Sequence, residues 1–317
     1  MVRELAARGF GALVRARERG YASGRLGVAR LPRPVLSVGN LSTGGSGKTP
    51  TVIALGGALA ARGLRFDVLT RGYRRASKAL AIAQTGDEPV ESVGDEPRLI
   101  AARLRAPVLV HPDRFRAGLE GERRFASQIH LLDDGFQHRQ LARCFDLALV
   151  SPRDFDDRLL PAGRLREPLS ALARASAVLW VETEGDLGAA RRRCAAHTPA
   201  PVFCARRRVL PFATSGRRFA FAGIARPESF WASLAEAGIE VAGQHAFRDH
   251  HRYTAADLRR LRAWAAAAGA DRLVTTAKDA MKLPPEFLAD GVDVLEIEME
   301  IPELPSLMQL ALSACAV

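Results

Sequence analysis

An apolar run, Pro34-Val-Leu-Ser-Val38, leads without a break into Gly39-Asn-Leu-Ser-Thr-Gly-Gly-Ser-Gly-Lys-Thr49, and a helix-forming stretch follows. Strand, glycine-rich loop and helix in that order form the context of a phosphate-binding P-loop. The glycines let successive backbone N–H groups turn onto phosphate oxygens, the helix N-terminus adds its dipole, and a lysine ammonium reaches the β and γ oxygens. On this reading Ser42, Thr43, Gly44, Gly45, Ser46, Gly47, Lys48 and Thr49 hold ATP, with Thr49 also a Mg²⁺ ligand. Pro50 suits a first helical turn, where a missing N–H costs nothing. The strict G-x-x-x-x-G-K-[ST] pattern has glycine where this chain has Ser42, and the flanking strand and helix compensate for that departure.

A P-loop needs a sheet to hold it, and the chain supplies one. Val35–Val38, Phe66–Leu69, Pro107–Val110, Ile129–Leu132, Leu147–Val150 and Val178–Val181 read as short apolar strands, with helices expected over 48–62, 95–104 and 112–126. Near-continuous apolar strands alternating with helices imply a mostly parallel sheet covered on both faces. After the linker-like stretch 209–217 come strands at 218–222, 239–242, 272–275 and 292–297. Between them lie a helix opened by Pro227 and another at 255–268, which Thr254 and Asp257 would cap as a box. The expected organisation is an N-terminal segment 1–33, a P-loop domain 34–210 and a smaller α/β domain 211–317 that closes over the site.

The run Ile129-His-Leu-Leu-Asp133-Asp134 ends an apolar strand in two acids. Such a pair by itself is ordinarily a turn. Beside a P-loop strand, a carboxylate at the C-terminal end of a strand is where Mg²⁺ is held, so Asp133 and Asp134 are read with Thr49 as the metal set. Two switch-protein patterns are absent. Thr276-Ala277-Lys278-Asp279 sets its lysine directly beside the aspartate, unlike the guanine-reading [NT]-K-x-D, and the position of the extra lysine of partitioning-type ATPases is Thr43. Both absences favour an enzyme over the alternative of an ATPase acting as a conformational switch or metallochaperone.

The formal charge of +11 calls for an anionic partner, and residues 1–36, with eight arginines and two glutamates, carry over half of it. Within 2–21, Val2, Leu5, Ala6, Phe10, Leu13 and Val14 fall on one broad helical side, and Arg8, Arg15 and Arg19 on another. That pattern fits a helix packed on the body or one lying in a membrane interface with snorkelling arginines. A nucleic-acid module would interleave aromatics with charge, yet only 6% of residues are aromatic and the charge is bunched at the N-terminus, so no nucleic-acid partner is expected. Of the 46 basic residues only Lys48, Lys78, Lys278 and Lys282 are lysines. The four cysteines show no C-x-x-C spacing, which fits a reducing compartment.

These motifs occur in an ordered set that resembles the tetraacyldisaccharide 4'-kinase family, the lipid A 4'-kinases of Gram-negative bacteria, over nearly the whole chain. The set comprises Val38-Gly-Asn40, Thr43 to Pro50, Arg71-Gly-Tyr73, Gly94-Asp-Glu-Pro97, Leu132-Asp-Asp-Gly-Phe-Gln-His138, Leu160-Pro-Ala-Gly-Arg-Leu-Arg-Glu-Pro168, Asp249-His-His251 and Thr276-Ala-Lys-Asp279. Ala277 departs from it, standing where the family has glutamate. The resemblance implies transfer of the ATP γ-phosphoryl group to the 4'-hydroxyl of a lipid A disaccharide 1-phosphate precursor. It further implies a peripheral enzyme at the cytoplasmic face of the bacterial inner membrane, with its active site between two α/β domains. By the same resemblance Asp95 and His250, otherwise an N-cap and a loop histidine, are expected to meet as the acid–base pair. Lys48 joins them in catalysis, and Arg114, Arg166, Gln137 and Tyr73 become phosphate or substrate contacts.

Overall fold

The computed structural model describes residues 2–72, 75, 77–182, 186–212 and 215–317. In chain order its strands are β1 (Val35–Asn40), β2 (Phe66–Thr70), β3 (Ala81–Ala83), β4 (Val108–Val110), β5 (Ile129–Asp133), β6 (Phe145–Val150), β7 (Ala177–Val181), β8 (Val202–Val209), β9 (Arg218–Ala222), β10 (Val241–Ala246), β11 (Arg272–Thr276), β12 (Val292–Leu295) and β13 (Ile297–Glu300). They form a nine-stranded sheet in the order β13-β8-β7-β6-β1-β5-β2-β4-β3 and a four-stranded sheet in the order β10-β9-β11-β12.

Every pairing in the large sheet is parallel except at its two edges, where β3 runs antiparallel to β4 and β13 antiparallel to β8. The central strands β1, β5 and β6 are buried at every position, as their unbroken apolar runs require. Flanked by β5 and β6, β1 occupies the middle of the sheet, and its register sets Val38 against Asp133. The P-loop and the β5 acids therefore emerge side by side at the carboxyl ends of the strands, where open α/β sheets bind ligands.

Helix Lys48–Ala60 is largely apolar, with Val52, Leu55 and Leu59 fully buried in the core it shares with the sheet. The expected helices at 95–104 and 112–126 are Asp95–Leu104 and Arg114–Phe125, the latter opened by Asp113, whose side chain accepts from the Arg116 N–H. In the second unit the four parallel strands pack against helices Pro227–Glu236 and Ala255–Ala267, with the Thr254–Asp257 capping box formed in both directions.

The chain's end departs from the expected organisation. Residues 292–297, read as one strand of the second unit, divide into β12 and β13, and β13 returns to the large sheet. Helix Leu304–Cys315 then buries Leu307, Met308 and Ala311 in the same core as Val52 and Leu55 of the P-loop helix. The second unit thus spans β9 to β12 rather than extending to residue 317. Apolar periodicity could not reveal this, because β13 satisfies its hydrogen bonds at an edge far away in sequence. The structure also joins Cys144 and Cys315 in a disulfide, a pairing that their spacing does not announce, while Cys194 and Cys204 are free.

Candidate active site

Three elements converge at the carboxyl end of β1. The P-loop follows β1 through Gly44 and Gly47, at φ of +92° and +89°, a left-handed backbone that side chains other than glycine's rarely adopt. The loop is fastened from outside by the Thr43 N–H, which donates to Arg164 O at 2.8 Å, and by the Arg166 N–H, which donates to Leu41 O at 2.6 Å. Lys48, the first residue of its helix, donates to Asn40 Oδ1 at 3.0 Å and stands 3.5 Å from Asp134. Thr49 follows it in the first turn.

The two acids that end β5 have different surroundings. Asp134 takes both Nη1 and Nη2 of Arg166, at 3.0 and 2.9 Å, in a bidentate pair. Burial raises its carboxyl, but Lys48 and then Arg166 outweigh that and hold it well below the usual carboxylate range. Asp133 is buried and receives the Thr70 hydroxyl at 2.9 Å. Burial, then the Glu96 and Asp134 carboxylates, push it up to about 7 against the pull of Lys48. Asp133 is therefore a carboxylate short of positive charge, which a divalent cation would supply.

The third element comes from the second unit. His250, at φ +60°, places Nδ1 3.0 and 3.2 Å from the two oxygens of Asp95, the first residue of helix Asp95–Leu104. Burial pushes Asp95 up, but the His250 hydrogen bond and the charges of Lys278, His250 and Lys282 hold it below its ordinary value. Lys278 is held 3.0 Å from Glu96 Oε1, 3.9 Å from Asp95 and 3.5 Å from His250 Nε2. Glu96 also raises Asp133 electrostatically, so the Asp95–His250–Lys278–Glu96 cluster lies within electrostatic reach of the β5 acids.

Arg114 is buried, donates to Pro112 O at 2.8 Å and leaves Nε without a partner. Burial, with Arg71 adding, lowers it to about 10, while Asp134 and Asp133 oppose the shift. Gln137 donates to Asn40 O at 2.9 Å and to Glu167 at 3.3 Å. Tyr73 lies outside the described residues. Sequence reasoning missed Asn40, Glu96 and Lys278 as members of the site. The scarcity of lysine was a usable signal for the last, since Lys278 and Lys282 both lie in ion pairs while Lys78 is exposed.

The residues present fit a magnesium nucleotide. Among the described residues, Ser46 Oγ in the loop and Arg114 Nε are buried polar atoms with no protein partner, and Asp133 forms no ion pair, its carboxyl raised despite Lys48. Among the described residues no group of three or more His, Cys, Asp or Glu forms a cage, as expected for an ion that takes one or two carboxylates and completes its shell with substrate phosphates. Beside the site, helix Val2–Ala22 roofs a cavity of about 360 Å³ whose walls include Phe10, Leu13, Val14 and Leu160, with Gln137 and Arg166 at its polar end.

Comparison with known proteins places this architecture. The family described as Tetraacyldisaccharide-1-P 4'-kinase matches residues 4–315. The tetraacyldisaccharide 4'-kinase of Koribacter versatilis (strain Ellin345) is 43% identical over 284 residues, covering 86% of this chain and 86% of that protein. That of Geobacter metallireducens is 38% identical over 315 residues, covering 92% and 91%. A crystal structure of LpxK from Aquifex aeolicus in complex with ATP superposes with a TM-score of 0.81 at 30% identity, covering 99% of both chains.

Proposed function

The chain belongs to the tetraacyldisaccharide 4'-kinase family, and from that premise we propose how its residues divide the work. It is an ATP-dependent kinase that transfers the γ-phosphoryl group to the 4'-hydroxyl of a lipid A disaccharide 1-phosphate precursor. The observation that carries the assignment of roles is the Asp95–His250 contact, made between the two units beside Glu96, which acts electrostatically on Asp133.

Phosphoryl transfer asks a protein mainly for positioning and charge neutralisation. Lys48 and residues 42–49 take the triphosphate. Thr49 and Asp133 would hold Mg²⁺, which would neutralise phosphate charge there. Asp134, from the sequence a further metal ligand, contributes through Arg166 and Lys48, whose ammonium and guanidinium it orients. The acceptor hydroxyl gives its proton to His250 Nε2 while Asp95 accepts from Nδ1, fixing the tautomer and stabilising the imidazolium. Arg114, Arg166 and Gln137 bind phosphate or sugar, and Tyr73 is proposed with them. Closure of the second unit brings His250 to Asp95, so the base is complete only in the closed form, which suppresses idle ATP hydrolysis.

The acceptor's acyl chains occupy the apolar cavity under helix Val2–Ala22, and the enzyme works as a peripheral protein on the anionic cytoplasmic face of the inner membrane. Supporting this, Val2, Leu5 and Leu13 are 81, 71 and 72% exposed, and no helix among the described residues is long and apolar enough to cross a membrane. The test is incubation with ATP, Mg²⁺ and the disaccharide 1-phosphate precursor, scored for a phosphate ester at the 4' position. ATP consumption that is the same with and without the lipid, and no new ester, would sink the proposal.

A further inference from the structure

Two arginines outside the P-loop motif reach its backbone carbonyls. The Arg207 guanidinium, on β8, donates to Gly45 O, and the Arg226 Nη2, from the residue before helix Pro227–Glu236, reaches Thr43 O at 3.5 Å. Arg226 packs so close to the loop that a Cβ at Gly44 would lie 2.9 Å from its Nη2 and 3.1 Å from its Nε. One arginine comes from an outer strand of the large sheet and the other from the second unit.

Their acceptors matter. In a trans peptide the C=O of one residue and the N–H of the next point in opposite directions on one rigid plane. A cation on Thr43 O therefore fixes and polarises the Gly44 N–H, and a cation on Gly45 O does the same for the Ser46 N–H. Those are loop N–H groups of the kind that cradle the phosphates of a bound nucleotide. The surroundings are also short of negative charge. Burial, then Arg226 and Arg153, lower Arg207, and burial, then Arg164 and Arg153, lower Arg226, with Asp154 and Asp157 only partly opposing. Arg164 is already paired with Asp157 at 2.6 Å. So dense a set of guanidinium groups is relieved when a polyanion enters the loop.

We infer that Arg207 and Arg226 are positioning residues for the nucleotide, acting through the peptide units 43–44 and 45–46 to pre-set the P-loop for the phosphates that ATP and ADP share. Because Arg226 belongs to the second unit, its docking on Thr43 O also couples seating of that unit to nucleotide affinity. This rests on ATP being the phosphoryl donor, which the wild-type assay establishes separately.

The experiment compares Arg207→Ala, Arg226→Ala, the two Arg→Lys variants and wild type for kcat, KM for ATP, Kd for ADP, and the rise in melting temperature that each nucleotide causes. Each alanine variant is expected to raise the KM for ATP and the Kd for ADP in parallel by about tenfold, the scale of one charge-assisted hydrogen bond, with kcat changed far less. The nucleotide-induced rise in melting temperature should shrink to match, and lysine, which keeps the charge, should restore part of both. Melting without nucleotide shows whether the alanine variants are folded, and the lysine variants carry the test should alanine lower it. Unchanged ATP and ADP affinities in both alanine variants would overturn the inference. A loss confined to ATP would overturn it as well, since the guanidinium would then serve the γ-phosphate directly.

Discussion

His250 Nδ1 lies 3.0 Å from Asp95 Oδ2, although the two residues are 155 apart in the chain and belong to different units. The contact forms because Asp95 starts a helix that follows Gly94, while His250 sits in a left-handed turn pinned by its N–H to Gly223 O at 3.0 Å. Each side chain alone has a mundane role available, a helix start and a loop histidine. Together, with Lys278 3.5 Å from the other ring nitrogen, they have the geometry on which the proposed proton acceptor rests.

If the pair acts as a unit, Asp95→Ala and His250→Ala should each lower kcat by roughly 10²–10⁴-fold with little change in the KM for ATP. The double variant should be hardly worse than the worse single one. Steady-state kinetics on the three variants decides the matter, and losses that multiply would show two residues acting independently.

Lys48→Ala, Thr49→Ala and Asp133→Ala should each reduce turnover by roughly 10²–10³-fold while leaving the melting temperature near that of wild type. For Thr49 and Asp133 the dependence on Mg²⁺ should also shift to higher concentration. Wild-type rates in any of the three would remove that residue from the site.

A buried cluster away from the P-loop carries a pH signature. His130, with no exposed surface, holds Asp67 at 2.7 Å and Glu122 at 3.2 Å. Burial lowers its pKa, but the bonds to Asp67 and then Glu122 outweigh burial and raise it. A histidine whose pKa is raised on folding contributes stability that is complete below the unfolded value of about 6.5 and is lost as pH rises through the folded one. Glu122→Gln keeps an oxygen for the Arg33 N–H, which Glu122 accepts at 3.0 Å, yet removes the charge. Urea unfolding should find this variant less stable than wild type near pH 5.5, with the gap closing as pH rises past 6.5. A gap constant across that range would show that His130 is neutral throughout.

Most of the sheet was legible because its strands are buried on both faces and so read as apolar runs: β5 was expected at 129–132 and found at Ile129–Asp133. The P-loop was legible for a different reason, since the cradle is local and its glycines, lysine and helix are contiguous. What escaped shares one property, partners distant in sequence. Lys278 gains its meaning from Glu96, β13 from β8, and Arg226 from a carbonyl of the P-loop. None of these alters local periodicity. The family resemblance supplied the Asp95–His250 pairing, which residue spacing alone left open between a cap and a base.

The N-terminal helix tests how the enzyme meets its lipid. Of Val2–Ala22 only Ala7 and Gly11 are buried, so the helix is held to the body by few contacts, among them Arg158 with Glu4 and Arg17 Nη2 with Gln137 O at 3.0 Å. A helix that served only to cover the body would bury its apolar side chains there, whereas Leu5 and Leu13 face solvent at 71 and 72% exposure. Arg8, Arg15 and Arg19 lie on another side of the same helix, an arrangement suited to lying in an anionic interface with apolar groups inserted and guanidinium groups among the headgroups. Each basic residue near such a surface adds about 1 kcal/mol, so several give attachment that weakens steeply with salt. Full-length protein should therefore cosediment with vesicles containing anionic lipid, less so at high ionic strength, and hardly at all with neutral vesicles. Val2→Ser with Leu5→Ser should weaken cosedimentation while preserving the fold, because neither side chain is buried and neither lines the cavity. Phosphorylation of acceptor embedded in vesicles should then fall more than that of acceptor dispersed in detergent. Equal cosedimentation of the double variant and wild type would assign the helix to covering the site alone.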